Sequence, residues 1–588
     1  MRAVIKTKGM KRHFQLLSSR KCLLSIMAML AMLPSVLHAD DACTETVTTN
    51  GFVGKNNGNE TYTFSELESI DQIVGIELQN GYWVYCSSDS YVTNANILTV
   101  KNSRFDLYKC KAKFTVKGQK KNCTANEDQD NDIAQVPLFL AQSATPNIMY
   151  ILDDSGSMQF ELMPEQNILG DARYVYPRAD GIYGGSDYSN YVVTVDDNNG
   201  FNARSRSPQI NTVYYNPSVT YEPWIKGDGS YYPDADIDCA PHNPSNDSGY
   251  NSESNCRDLT EDNDRYNSNY WVSCNKSGSC SYSQWNKTFW PATYFWYDGT
   301  GDNWSWSNYS KVEIRPGNTY SGHGRENRDD CADAANGTCS YNEEIQNFAN
   351  WYSYYRSRVA TARGGSGRAF SEQGANLRVG FGSLNSSSRN IDGENTSVIL
   401  RGVREFSGEN RNDFFEELYE LDIPAAGTPL RRALNASGEY FERSDNKGPW
   451  SETPGEDGGE QLECRRNYTV LMTDGYWSGS SPGGDPSNNN DGSDNPSHTS
   501  TGGASYTYKA VSPFEDSRSD TLADVAMYYW KNDLRSDMPN AVTVNKKNPA
   551  FWQHMVTFGV GLGVSGTVDP DTAFAAIASG ADISWPSP

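Results

Sequence analysis

Between residues 340 and 560, short apolar runs alternate with stretches whose apolar side chains recur every three to four residues. The short runs have the length of buried strands, and the longer stretches have the pattern of helices that bury one face. Strands that alternate with helices build a mostly parallel sheet covered by helices on both faces. The sequence therefore predicts an α/β domain with a doubly wound, mostly parallel, Rossmann-like sheet.

The predicted elements begin with an apolar strand over residues 146–152. After a long polar stretch, Ser340 and Glu343 form the capping box of a helix whose apolar face continues to Val359. Loops that follow the parallel strands of such a sheet open at one common edge. The remaining predicted elements are strands 377–384 and 397–400, helices 412–421 and 429–440, strand 468–472, helix 521–530 and strand 555–560.

Polar motifs lie beside the predicted strands and helices at three places. Asp153-x-Ser155-x-Ser157 continues the first strand, Thr428 precedes a helix in Gly-Thr-Pro-Leu, and Asp474 ends a strand in Thr-Asp-Gly. An isolated Asp-x-Ser-x-Ser is more often a polar turn that caps a helix. Three motifs in this order, at the ends of predicted elements, favour one shared site in the crevice at the sheet edge.

The residue types in these motifs indicate what the shared site binds. Carboxylate and hydroxyl oxygens are the ligands that hard divalent cations prefer, and two carboxylates balance the charge of one such ion. We expect a hard divalent cation such as Mg2+, with Ca2+ as a further candidate, and we expect the side chain of Asp154 to point away. The predicted metal ligands are Asp153, Ser155, Ser157, Thr428 and Asp474.

The first 39 residues have the pattern of a secretory signal peptide: seven basic side chains, an apolar run over residues 22–33, and a small residue, Ala39, at the predicted cleavage point. The apolar run is shorter than the roughly 20 residues that span a bilayer. Removing this segment changes the formal charge from −24 to −31, because it contains no acidic residue. The mature protein is therefore expected to be exported, with no nucleic-acid partner and no stable membrane insertion.

Residues 160–340 are rich in Tyr, Trp, Asn and Gly and contain six of the twelve cysteines. In an exported protein, cysteines are mainly disulfide-bonded, and the absence of a Cys-x2-Cys pair disfavours the alternative, a zinc site. We predict a disulfide-braced insertion with the pairs Cys239/Cys256, Cys274/Cys280 and Cys331/Cys339. Its large rings are expected to be mostly packing residues, with a sugar- or surface-binding patch as the alternative; they are Tyr214, Tyr215, Trp224, Trp290, Tyr294, Phe295 and Trp296.

The remaining segments complete the predicted domain organisation. Residues 40–140 alternate apolar and polar positions, which favours a small β-rich module. The α/β domain is expected over 141–588, interrupted by the insertion at 160–340. The low-complexity stretch 478–505 is predicted to be a flexible loop.

The three polar motifs together resemble the metal-ion-dependent adhesion site of von Willebrand factor type A domains. Four further runs, at 150–158, 347–356, 427–431 and 522–530, resemble the N-terminal half of PilY-type type IV pilus tip-associated adhesins. This resemblance covers residues from about 140 to 588 and implies Mg2+ or Mn2+ at the site. It also implies a C-terminal β-propeller, which is absent from the chain, so a fragment of a longer protein is expected. The long insertion is a departure from an ordinary A domain.

The resemblance implies a cell-surface adhesin and type IV pilus biogenesis factor, located at the pilus tip or in the outer membrane or periplasm. Its expected partners are an acidic group on a host-cell or surface ligand and the minor pilins, and it implies a role in twitching motility. We expect no enzyme, because the sequence has no Ser/His/Asp order, no His-Glu-x-x-His and no phosphate loop. The alternatives are a metal-dependent hydrolase of extracellular glycan or peptide and a passive structural pilus subunit.

Overall fold

The structure is a computed structural model that forms two compact units, residues 1–142 and 143–588. It describes residues 144–564, apart from 190, 246–254, 267–269, 512–513 and 546–547, and the backbone of six strands between residues 44 and 120. The signal peptide predicted for residues 1–39 lies outside the described residues.

The described backbone of the first unit forms two antiparallel sheets of three strands each. In the first sheet, Cys110–Lys120 pairs with both Thr44–Val53 and Leu67–Gln79. In the second sheet, Ile97–Asn102 pairs with both Asn59–Thr63 and Ser88–Asn94. The part of this unit that the structure describes is therefore β-structure.

A five-stranded sheet lies at the centre of the second unit. Its strands are β1 (Asn147–Leu152), β2 (Arg378–Ser383), β3 (Ile399–Glu405), β4 (Asn467–Thr473) and β5 (Met555–Gly561). Their order across the sheet is β3-β2-β1-β4-β5. The pairs β2·β1, β1·β4 and β4·β5 are parallel, whereas β3 is antiparallel to β2. The sheet is thus mixed, with one antiparallel edge strand.

Five helices of ten or more residues pack on the two faces of this sheet. Tyr150 and Leu152 of β1 join a buried cluster with α1, α2 and α3, and Met149 and Ile151 join a second cluster with α4 and α5. Successive side chains of a strand point to opposite faces, which explains why β1 is apolar throughout. The helices are α1 (Tyr341–Tyr354), α2 (Arg358–Ser371), α3 (Gly408–Glu420), α4 (Leu430–Phe441) and α5 (Leu522–Lys531).

The sequence predictions are confirmed at the level of an α/β protein with a mixed sheet and three disulfides; the doubly wound A-type fold stays a prediction. The capping box of Ser340 and Glu343 is present at the start of α1. The helix predicted to continue to Val359 ends instead at Tyr354, because Ser357 accepts a hydrogen bond from the amide of Ala360 and caps a new helix, α2.

The insertion is built from short elements held by rings and disulfides. The disulfides Cys239–Cys256, Cys274–Cys280 and Cys331–Cys339 are formed as predicted. Six of the seven rings predicted to be packing residues are buried, and Trp296 is partly buried against the same cluster. Besides four short 3-10 turns, the described elements are a helix, Gly200–Ser205, and the strands Tyr191–Val193, Ala240–Pro241, Cys256–Arg257, Asn263–Tyr266, Tyr270–Cys274, Cys280–Ser283, Asn286–Phe289, Thr293–Tyr297, Tyr309–Glu313, Thr319–Ser321 and Thr338–Ser340.

Buried ion pairs join the insertion to the helices of the α/β core. The carboxylate of Glu344 on α1 accepts from Arg325 at 2.5 Å and from Arg328 at 2.6 Å, and all three side chains are almost completely buried. Glu161, just after the first strand, pairs in the same way with Arg356 at 2.7 Å. Each carboxylate thus supplies the countercharge that a buried guanidinium requires.

The stretch 478–505, predicted to be a flexible loop, contains a short 3-10 turn, Asp485–Ser487, and the first strand of a hairpin formed by Ser497–Thr499 and Ser505–Thr507. The carboxylate of Asp524 accepts from the amide of Asn490 at 2.8 Å, and this contact ties the stretch to the start of α5. Among the described residues, no helix has both the length and the apolar character needed to cross a membrane.

Candidate metal centre

The predicted metal ligands come from loops at one edge of the sheet. Strands β1 and β4 are parallel neighbours, and Leu152 pairs with Met472, so both strands end at the same level. The amide of Asp153 continues this pairing and donates to the carbonyl of Met472 at 2.9 Å. Asp153 and Asp474 therefore begin two loops that run side by side.

Hydrogen bonds connect four of the five predicted ligands. The amide of Ser155 donates to Oδ1 of Asp153 at 2.7 Å. The hydroxyls of Ser155 and Ser157 are 3.0 Å apart, and that of Ser157 donates to Oδ1 of Asp474 at 2.9 Å. Two carboxylates and two hydroxyls thus form one local cluster of oxygen atoms.

The fifth predicted ligand, Thr428, is buried in a loop that is fastened to the same cluster. The amide of Gly156 donates to the carbonyl of Ala426 at 2.9 Å. A Cβ atom on Gly156 would lie 2.9 Å from the Cα of Ala425, so this close approach requires glycine. On the other side, the amide of Thr428 donates to the hydroxyl of Ser478 at 2.8 Å.

Asp154 faces a different neighbour from Asp153. Its Oδ1 accepts from the backbone amide of Asn385 at 3.0 Å and from the Nδ2 of the same residue at 2.9 Å. The amide side chain of Asn385 also donates to the carbonyl of Gly427. Asp154 therefore joins the loops after β1 and β2 and is not part of the oxygen cluster.

The carboxylate of Asp153 is in an unfavourable place for a charge. It is completely buried, and burial, followed by the nearby charge of Asp474, raises the pKa of Asp153 to about 7 from an ordinary 3.8. Burial disfavours a charged group, and a second carboxylate repels it. A bound cation at this position would oppose both effects.

Two residues that sequence reasoning did not assign contact the carboxylates. The hydroxyl of Thr473 donates to Oδ2 of Asp153 at 2.6 Å, and Nη1 of Arg358 donates to Oδ2 of Asp474 at 2.7 Å. Thr473 lies in the Thr-Asp-Gly motif, which could have indicated it. Arg358 is 116 residues from Asp474 in the chain, and no local pattern in the sequence joins the two.

The chemistry of the donor set fits a hard divalent cation such as Mg2+ or Mn2+. Only oxygen atoms are present in the cluster, two of its side chains are carboxylates, and three are hydroxyls if Thr428 contributes. Across the described ranges, no group of three or more His, Cys, Asp or Glu side chains could hold a metal ion. A cation at this candidate would need hydroxyl ligands beside the two carboxylates, and Arg358 contacts one oxygen of Asp474.

The fold and this edge together define an α/β protein with a cluster of carboxylate and hydroxyl oxygens beyond the ends of parallel strands. The chain is 28% identical over 507 residues to the type IV pilus biogenesis factor PilY1 of Pseudomonas aeruginosa strain PAK, a match that covers 77% of this chain and 36% of the relative. It is 29% identical over 460 residues to PilY1 of strain PAO1, covering 74% of this chain and 33% of the relative.

These matches support a PilY-type type IV pilus biogenesis protein. The chain spans about a third of the length of these curated relatives. No family model and no solved structure matches it.

Proposed function

We propose that this chain is part of an exported cell-surface adhesin and pilus biogenesis factor, and that it binds its ligand through a divalent cation. The observation that carries the proposal is the hydrogen-bonded cluster that joins Asp153 to Asp474 at the edge of the sheet. The cation would be Mg2+ or Mn2+, in a site of the metal-ion-dependent adhesion type that von Willebrand A domains carry. The residues that would hold it are Asp153, Ser155, Ser157, Thr428 and Asp474.

The strand ends, Thr473 and the loop that carries Thr428 would each have a separate role in such a site. The parallel ends of β1 and β4 bring the two carboxylates together, and Thr473 orients Asp153 through its hydroxyl. When bound, the cation would offer a coordination position to an acidic group of the ligand. The loop that carries Thr428, which would supply a hydroxyl ligand, is fastened beside the cluster by hydrogen bonds from Gly156 and to Ser478.

The name of the relatives supports a binding role over the alternatives. All three are called type IV pilus biogenesis factors, which favours a surface protein that acts with the pilus over a hydrolase of glycan or peptide. The proposed partners are the minor pilins and a host-cell or surface ligand with an acidic group. A passive structural subunit, in which these loops are only turns, is distinguished from the proposal by mutation of the site.

The test is adhesion and twitching by cells that carry Asp153→Asn in the full-length protein. The matched control is Asp457→Asn, because the side chain of Asp457 is 91% exposed and forms a surface ion pair with Lys447 at 3.2 Å. We expect Asp153→Asn to reduce adhesion strongly while the amount of exported protein is unchanged, and Asp457→Asn to have no effect. Equal adhesion by both variants and the wild type would favour the passive subunit.

A further inference from the structure

A buried positive charge lies directly against the candidate metal centre. Arg358 and Asp474 have side chains that are 1% and 0% exposed, and they form an ion pair at 2.7 Å. The guanidinium is held in place by a second bond, from its Nε to the carbonyl of Leu162 at 3.0 Å. Within the described part of the chain, its Nη2 is buried and has no hydrogen-bond partner, so Asp474 is the group that balances its charge.

This arginine changes the charge of the site. Asp153 and Asp474 carry two negative charges when ionised, and a divalent cation alone would bring their sum to zero. Because Arg358 contributes a third charge in direct contact, the filled site carries one net positive charge. The carboxylate of Asp154 is held by Asn385 outside this cluster, so it does not neutralise the charge that Arg358 adds.

We propose that Arg358 makes the cation and an acidic ligand bind cooperatively, a regulation that rests on the metal site proposed above. Arg358 repels the cation and thereby weakens its binding when no ligand is present. A carboxylate that completes the shell neutralises the excess positive charge, in a buried environment where such interactions are strong. By linkage, the cation then raises the affinity for the acidic ligand by the same factor.

The orientation of Asp474 does not depend on Arg358 alone. Its Oδ1 accepts from Ser157 at 2.9 Å, and its backbone directly follows β4. A glutamine at position 358 keeps a hydrogen-bond donor and removes the charge. The electrostatic effect of Arg358→Gln is therefore expected to exceed the effect of lost positioning.

The experiment is a calorimetric titration of the purified chain with Mn2+, alone, in saturating acetate and in acetamide, corrected for the Mn2+ that acetate binds. In the wild type, acetate should raise the Mn2+ affinity about fivefold or more, and acetamide should not. Arg358→Gln should bind Mn2+ alone about tenfold more tightly than the wild type and show a smaller effect of acetate. Arg358→Lys should behave like the wild type.

The matched control is Arg368→Gln, which removes the same charge from the same helix at a side chain that is 57% exposed. Unchanged Mn2+ affinity in Arg358→Gln, or the same gain in Arg368→Gln, overturns the proposal. If Arg358→Gln does not fold, the wild type alone still tests the proposal. A wild-type Mn2+ affinity that acetate does not raise also overturns it. A wild type that binds no Mn2+ in any condition would instead contradict the metal site proposed above.

Discussion

The central sheet and the insertion are ordered by different means. In the sheet, alternate residues of β1 enter two apolar clusters, and repeated parallel pairing sets the positions of the loops. In the insertion, described strands of two to five residues are held by disulfides, packed rings and buried arginines. The comparison shows that a regular scaffold holds the candidate site, while specific side-chain contacts order the large segment beside it.

The largest effect is expected where a single carboxylate serves two buried arginines of the insertion. Glu344→Ala removes the carboxylate that Arg325 and Arg328 share. Arg328 keeps its ion pair with Asp330, whereas the buried charge of Arg325 loses its carboxylate partner. We expect the free energy of unfolding to fall by about 3–5 kcal/mol or more, measured by denaturant unfolding. Glu222→Ala, which breaks an exposed ion pair with Arg368, should cost about 1 kcal/mol or less. Equal costs would contradict the role given to buried ion pairs.

The second prediction concerns the start of β5, in the sheet. Burial lowers the pKa of His554 from 6.5 to about 4. Its Nδ1 donates to the carbonyl of Trp552 at 2.7 Å, and Nδ2 of Asn548 donates to its Nε2 at 2.8 Å, which is the pattern of a neutral ring.

The unfolded chain therefore binds a proton that the folded chain excludes. The neutral ring of His554 makes its full contribution to the free energy of unfolding above pH 6.5. This contribution, about 3 kcal/mol, is lost as the pH falls toward 4. Unfolding measured across this range should show the loss in the wild type and a smaller loss in His554→Gln. If the free energy of unfolding falls equally with pH in both proteins, groups other than His554 cause the acid sensitivity.

The smallest effect is expected from a short disulfide of the insertion. The bond between Cys274 and Cys280 closes a separation of six residues, for which loop entropy alone gives about 2 kcal/mol. Replacing both cysteines by serine should make the insertion more sensitive to limited proteolysis and leave Mn2+ binding unchanged. Loss of Mn2+ binding would show that the loops of the candidate site depend on the insertion for their positions.

The sheet was predictable because its signals are local. The apolar run of β1, the capping box at Ser340 and the periodic faces of the helices each lie within one short segment. The meeting of Asp153 and Asp474 at one edge was predictable for the same reason, since strand ends of a parallel sheet meet there. The cation that these residues would hold stays a prediction. The break before α2 was missed because the apolar period continues across the cap at Ser357.

The insertion and the charge of the site could not be predicted in the same way. The pairing of Glu344 with two arginines and of Asp474 with Arg358 joins residues whose chain neighbours carry no signal of the contact. Such pairs form because a buried charge requires a partner wherever the fold brings one close. The sequence indicated a site whose two carboxylates balance the ion, and the structure adds a third charge.

The most direct test of the metal site is a Mn2+ titration of the wild type and Asp153→Asn at pH 8, with melting temperatures measured in parallel. The Oδ1 of asparagine can still accept from the amide of Ser155, and its Nδ2 can donate to the hydroxyl of Thr473, which in the wild type donates to Oδ2 of Asp153. The substitution also avoids a buried charge that is unfavourable without a cation. We predict that the wild type binds one Mn2+ and that bound Mn2+ raises its melting temperature. Asp153→Asn should bind none and, without metal, should be at least as stable as the wild type. Equal Mn2+ binding by the two proteins would contradict the account.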